Sequence, residues 1–334
     1  MQNDLIEISR RKCKAAGISV ASNSALVLLK LTSGMMIGSV SLISEAIHSG
    51  IDLLASLIAL FAVRTSSRPA DEEHPFGHGK FENVSGTIEA LLIFLAATWI
   101  IYEAVLKLIN PKPLEDVGLG VAIMLISVVA NTFVSNMLLK VGKETDSMAL
   151  QADAWHLRTD IYTSMGVMSA LTIIWLGGKF RPDLNLQWID SAAAIAVALL
   201  ILRAAYHLTI ESARDLFDVS LPPNEEDGIQ KHIRSFSPTI RGFHKFRTRK
   251  SGSNRFVEFH ILVDPAMSID ESHRIADMIT CSIKQHYPGT MVTIHIEPCH
   301  CELTDGSCGC ILNDPEKKKM HENFTVQANG LRLE

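Results

Sequence analysis

What this sequence has little of narrows its function first. Positive charge is not in surplus: 31 Lys and Arg stand against 36 Asp and Glu, a net charge of −5 over 334 residues. That excludes the global basic field of a nucleic-acid binder, so no nucleic-acid partner is expected. No HExxH pair occurs, so the helical zinc-hydrolase arrangement is missing. No cleavable leader is expected, because the first apolar run is too long and no small-residue cleavage pattern follows it. Cysteine is scarce until the end, where Cys299, Cys301, Cys308 and Cys310 crowd the segment CHCELTDGSCGC. Hydrophobic residues make up 47% of the chain, close to the ordinary globular share.

The distribution of those apolar residues is not ordinary. They concentrate in six runs, at about 17–40, 42–64, 84–108, 117–140, 149–177 and 188–211. Each is close to the roughly 20 mostly apolar residues that a helix needs to cross a ~30 Å hydrocarbon core. The expected architecture is a short segment 1–16, a six-helix membrane domain 17–212 in the lipid bilayer, a soluble domain 219–300, and a partly disordered Cys-containing tail 299–334. Arg10, Arg11, Lys12 and Lys14 precede the first run; Arg64, Arg68 and Lys80 fill the second loop, and Lys140 and Lys143 the fourth. The alternate loops hold only Lys112, then Lys179 with Arg181. Lys and Arg gather on the cytoplasmic side, so both termini are expected there, in a multi-pass protein of the cytoplasmic membrane. That compartment is reducing, which favours thiolate chemistry in the tail over disulfides.

The second run, SLISEAIHSGIDLLASLIALFA, sets His48 and Asp52 four residues apart, hence on one helical face. The fifth run repeats the device with His156 and Asp160, and Asp153 falls near the same face. Ionisable groups at membrane depth are expensive and mark functional sites. Two matched pairs supply two nitrogens and two oxygens, a shell suited to tetrahedral Zn²⁺. The competing reading is that each pair satisfies itself by hydrogen bonding, or relays protons without metal. Imidazole nitrogen favours zinc and its neighbours in the transition series over manganese or magnesium. Because a histidine ligand must be neutral, metal binding competes with protons and releases them.

Other clusters follow. Asp71, His74 and His78 lie in the turn-rich second loop at spacings of three and four, and can share one cation or simply be a charged surface loop. Residues 219–300 read as helix, strand, strand, helix, strand. Pro222 and Pro223 open the first helix, and SIDE at 268–271 fits a capping box ahead of an amphipathic run to His286. NRFVEFHILVD has the aromatic and β-branched content of a strand, and MVTIHIEP alternates. The two C-x-C pairs of the tail could wrap a soft cation in thiolate, and a redox-tolerant or disordered end is the plainer reading.

The stretches GSVSLISEAIHSGIDLLAS, HPFGHGKFE, LQADAWHLRTDIYTS and IDSAAAIAVALLIL, followed by HKFRTRKSG, FHILVD, SHRIADMI and TIHIEP, resemble the cation diffusion facilitator family in order and spacing. The resemblance covers residues 12 to 298. It implies a homodimeric, proton-coupled exporter of divalent metal cations, not an enzyme, with an α-helical six-span bundle and a small α+β metallochaperone-like domain of αββαβ order. It implies a transport site at His48, Asp52, His156 and Asp160, with the His–Asp form in both pairs associated with zinc. Cd²⁺, Co²⁺ and Fe²⁺ remain alternative cargoes, and the long histidine-rich loop of some zinc-specific relatives is absent. It further implies a second metal site at Asp71, His74 and His78, and a regulatory or structural one at His244, His260, His273, His295 and Glu297 where two soluble domains meet. Lys80 resembles a hinge lysine that pairs with an aspartate just past the sixth span, here Asp218. Two other classes stay open at this point: an intramembrane metalloenzyme, against which the four closed ligands weigh, and a membrane-anchored metal sensor.

Overall fold

The computed structural model describes residues 2–37, 40–109, 118–180 and 188–299. The described chain divides into two compact units, with the division between Phe217 and Asp218. The first unit contains six long helices: α1 (Gln2–Ile37), α2 (Val40–Ser66), α3 (Lys80–Ile109), α4 (Gly118–Glu144), α5 (Met148–Phe180) and α6 (Trp188–Leu216). The segment before residue 17 is no separate element, since α1 begins at Gln2 and runs without a break into the first apolar stretch. Among the described residues, α1, α2, α3, α4 and α6 are long and apolar enough to cross a membrane. The described part of α5 carries Asp153, His156, Arg158 and Asp160, which lowers its hydropathy.

Small side chains let these helices approach closely, as in membrane bundles where close packing substitutes for a hydrophobic driving force. Ala15 and Ala16 of α1, Ala62 of α2 and Ala149 and Ala154 of α5 are buried in one cluster with Leu138, Leu150 and Leu157. A second cluster joins Ala90, Ile93 and Ala97 of α3 to Ile201, Ala205 and Leu208 of α6. Many of the large exposed apolar side chains, among them Leu95, Trp99, Phe133 and Leu200, lie on the outward faces of the spans.

Polar ties cross the bundle at one end. The fully buried Glu82 of α3 accepts hydrogen bonds from Lys12 Nζ of α1 (2.8 Å), from Ser66 Oγ of α2 (2.7 Å) and from Ser147 Oγ in the α4–α5 turn. Arg11 pairs with Glu144 beside them. Lys30, deep in an apolar run, donates to Ser49 Oγ at 2.8 Å instead of reaching for water.

The second unit has the expected order: α7 (Pro223–Arg234), β1 (Gly242–Ser251), β2 (Asn254–Val263), α8 (Ile269–His286) and β3 (Met291–Pro298). β1 and β2 form an antiparallel hairpin closed by Gly252 and Ser253; β3 runs parallel to β2 after the α8 crossover, giving the order β1-β2-β3. Gly252 has φ +59°, which the two-residue hairpin turn requires. Ile229 and Ile233 of α7, Ile275, Ile279 and Ile283 of α8, and Val257, Phe259 and Ile261 of β2 form the core. Ser268 caps α8 by accepting from Glu271 N at 3.2 Å, and α7 starts at Pro223 with Glu225 and Glu226 in its first turn. Negative charge there opposes the positive helix end.

Candidate metal centres

The first centre stands between α2 and α5. His48 and Asp52 are one turn apart on α2, and His156 and Asp160 one turn apart on α5. Ala62 of α2 and Ala149 and Ala154 of α5 are buried in one cluster, so the two helices come close. One ligand atom from each of His48, Asp52 and Asp160 lies within 4.8 Å of the others. His156 Nε2 is 3.0 Å from Asp52 Oδ1, so the fourth residue joins the same group. Ligands of a tetrahedral zinc stand about 3.4 Å apart, a modest contraction of what is seen. Asp52 and His156 are buried, Asp160 is half-buried and His48 is exposed. His156 Nδ1 is buried with no partner. If Nε2 donates to Asp52, that second nitrogen carries an unused lone pair. Arg158 turns away from the site, donating to Asn136 Oδ1 at 3.1 Å and stacking over Trp155. The side chain of Glu45 lies outside the described residues.

The second centre is the α2–α3 loop. Asp71, His74 and His78 place ligand atoms within 4.8 Å of one another. Asp71 Oδ1 accepts from His74 N at 2.7 Å and lies 3.3 Å from His74 Nδ1, while its Oδ2 is 3.3 Å from His78 Nε2. The backbone hydrogen bond from His74, helped by the charges of His78 and His74, holds the Asp71 carboxyl below its ordinary range. His78 is buried, and its Nδ1 has no partner.

The third centre lies on the sheet of the second unit. His244 of β1 is in register with His260 of β2, which is in register with His295 of β3, so the three cross the sheet in a row. Glu297, two residues beyond His295, turns back to them. Its Oε1 is 2.6 Å from His260 Nδ1 and its Oε2 is 2.8 Å from His244 Nε2; His295 Nε2 stands 3.6 Å from Oε1. His244, His260 and Glu297 satisfy the same 4.8 Å condition. Hydrogen bonding from His260 above all, and then from His244, holds the Glu297 carboxyl below its ordinary range although burial pushes it up. A one-residue bulge between His244 and Arg247, with Lys245 at φ +51°, re-aims the strand next to this cluster. His273 is not among these atoms; it stands on the exposed face of α8, 3.5 Å from Asp277.

Lys80 is the first residue of α3 in one unit, and Asp218 opens the other, where its carboxylate is 3.5 Å from Arg249. Cys299 is a buried cysteine whose backbone N–H donates to Val263 O at 2.8 Å, extending β3 by one residue. Cys301, Cys308 and Cys310 lie outside the described residues.

Sequence reasoning missed two groups. Ser56 of α2 donates to Asp153 Oδ1 at 2.9 Å and receives Asn23 Nδ2 of α1 at 2.7 Å, one turn along from the first centre. Glu89 of α3 is fully buried as well. An ionisable residue within a run as apolar as α3 was itself the signal for Glu89.

Comparisons with known proteins agree over both units. A family model described as the cation efflux transmembrane domain matches residues 17–217, and one described as the cation efflux protein cytoplasmic domain matches 221–299. The uncharacterized transporter sll1263 of Synechocystis sp. is 35% identical over 85% of this chain and 89% of its own. The cation-efflux pump FieF of Klebsiella pneumoniae is 33% identical over 85% and 92%. A solved structure of the metal-bound C-terminal domain of a CzcD transporter from Thermotoga maritima is 28% identical, covering 25% of this chain and 93% of that one at TM-score 0.22. With both of its units matched in order, the chain is a multi-pass membrane transporter, not an enzyme, and it belongs to the cation diffusion facilitator, or cation efflux, family.

Proposed function

We propose that this protein exports divalent metal cations, zinc foremost, from the cytoplasm in exchange for protons. His48, Asp52, His156 and Asp160 would hold the cargo. The observation that carries the reading is the gathering of these four on two facing helices, with three of them within 4.8 Å and the fourth hydrogen-bonded into the group. Two nitrogens and two oxygens suit Zn²⁺ and admit Cd²⁺, Co²⁺ or Fe²⁺. A protonated imidazole cannot ligate, so loading from the cytoplasm releases protons and protonation from the far side expels the metal. Alternating access between the two sides turns that competition into antiport.

The Lys and Arg bias of the loops supports a cytoplasmic membrane with both termini inside. His244, His260 and Glu297 form a half-buried ligand set with His295 exposed beside it, and we take it as the place where cations join two copies of the cytoplasmic domain, with His273 a further candidate ligand. Bound zinc there would be structural or regulatory. Asp71, His74 and His78 would form a second site, within the loop that joins α2 and α3. The tail thiols begin two residues past Glu297, which suits Cys301, Cys308 and Cys310, together with Cys299, to metal capture. Lys80 and Asp218 stay a candidate hinge pair.

Flux into proteoliposomes under an imposed pH gradient tests the reading. Zn²⁺, Cd²⁺, Co²⁺, Fe²⁺ and Mn²⁺ would be compared in wild type, Asp52→Ala and Asp160→Ala. Gradient-dependent zinc flux that vanishes in both variants is expected. Zinc binding by intact protein with no flux of any metal would refute it.

A further inference from the structure

Two buried carboxyls inside the bundle take no part in the four-ligand centre. Glu89 and Asp153 are both fully buried. One oxygen of each is satisfied: Glu89 Oε1 accepts from Ser85 Oγ at 3.1 Å, and Asp153 Oδ1 from Ser56 Oγ at 2.9 Å. The other oxygen of each, Glu89 Oε2 and Asp153 Oδ2, is buried without any partner. Among the described residues neither carboxyl makes an ion pair. Nor does any third His, Cys, Asp or Glu there place a ligand atom with theirs as in the three metal centres. The two stand within electrostatic reach of each other and of His156.

We propose that Glu89 and Asp153 form a proton-carrying site adjoining the cation site, and that they hold counter-transported protons which the metal ligands do not. The inference rests on the proton-coupled export proposed above. A carboxyl shut away from water with no cation beside it is more stable as the neutral acid. The unpartnered oxygen of each then carries the O–H. Asp153 is three residues before His156 and Ser56 four after Asp52, so this tier lies about one helical turn, roughly 5.4 Å, from the cation site. A doubly charged cation arriving there stabilises the carboxylate form: the O–H bond breaks, the proton passes to water on the side from which the cation loaded, and the anion stays. Departure of the cation reverses the step. No oxidant or co-reactant is needed.

The surroundings are consistent with such a site. The titratable groups facing it are His156 of α5 and Asp52 of α2. α1 offers only neutral groups, Asn23 and Ser19 to Ser56 and Ser19 also to the Asp153 carboxyl, while its Lys30 is held by Ser49. α6 packs Ile201, Ala205 and Leu208 along α3, none of them titratable.

The experiment uses the full-length protein in proteoliposomes and reads two fluxes. One is zinc uptake driven by a pH gradient. The other is zinc-for-zinc exchange at equal pH on both sides, which needs no net proton movement. Glu89→Gln and Asp153→Asn, which hold the position neutral, are expected to lose gradient-driven uptake while keeping exchange and the zinc-binding stoichiometry. Glu89→Asp, which keeps a carboxyl, is expected to restore gradient-driven uptake and guards against a merely structural effect. Wild-type coupling in both neutral variants would overturn the inference and leave the antiport reading intact. Loss of exchange together with uptake, in protein that still binds zinc, would also overturn it. A wild type indifferent to the gradient would overturn the antiport reading and the inference together.

Discussion

The buried ion pair that ties α1 to α3 gives a sharp quantitative expectation. Lys12 is 4% exposed and Glu82 not at all, with Nζ and Oε1 2.8 Å apart. At an effective dielectric near 20 their gross attraction is about 6 kcal/mol. Most of that offsets the loss of hydration, so a single truncation mainly reports the charge it strands, about 3–5 kcal/mol. Lys12→Met leaves a carboxylate that still accepts from Ser66 and Ser147, and falls at the lower end of that range. Glu82→Met takes the carboxylate from beside the ammonium and the acceptor from Ser147, while Ser66 keeps Val63 O at 3.1 Å; the lost serine bond is worth about 1 kcal/mol more, and the variant falls at the upper end. The double variant strands no charge. It should be more stable than the sum of the singles requires, by up to about 3 kcal/mol, the coupling expected of residues in direct contact. Equilibrium denaturant unfolding in detergent, followed by tryptophan fluorescence and compared at equal slope, measures all four corners of the cycle. Strict additivity would refute the pair as a coupled, buried contact.

Three further outcomes are expected. A Cβ at Gly142 would meet the backbone nitrogen of Gln151 at 3.1 Å and Leu150 Cβ at 3.2 Å, so Gly142→Ala should destabilise the α4–α5 turn by about 1–3 kcal/mol and Gly142→Val by more; unchanged unfolding midpoints would contradict that packing. Ser268→Ala removes the α8 cap and should cost about 1 kcal/mol, with Ser268→Asp near neutral, read by thermal unfolding of the soluble unit within the full chain. His232 faces His286 with ring centroids 4.0 Å apart, and burial, then the charge of His286, holds its pKa below the ordinary value. Between that folded value and an unfolded one near 6.5, the unfolded chain binds more protons, so stability rises with pH there and falls on acidification. His232→Gln should flatten the dependence below about pH 6.5, and an unchanged slope in pH-dependent thermal unfolding would count against it.

Much of the candidate site could be read from the chain because the residues proposed to hold metal come in helical pairs. His48 with Asp52, and His156 with Asp160, are each fixed relative to one another by four-residue spacing alone. Asp71, His74 and His78 were legible for a similar reason, lying in one short loop. Ser268 and Glu271 marked the start of α8, and Pro223 that of α7. What spacing could not supply is any relation between separate elements. That Asp52 reaches His156 across 104 residues, or that Lys30 finds Ser49 and Asn23 finds Ser56, depends on helix packing. His273 belongs with the other histidines by pattern, yet in the single chain it stands with Asp277.

The sequence by itself determined the solvent class of each part, the identity of the helices and strands, and the His–Asp pairs within each helix. Those are consequences of hydropathy, period and local spacing, which a linear chain carries in full. Only the tertiary structure decided that α2 and α5 face each other, that three histidines line up across the sheet, and that Glu89 and Asp153 are shut inside the bundle. Those relations come from side-chain packing and strand register. Both are set by contacts between residues far apart in the chain, and no local pattern records them.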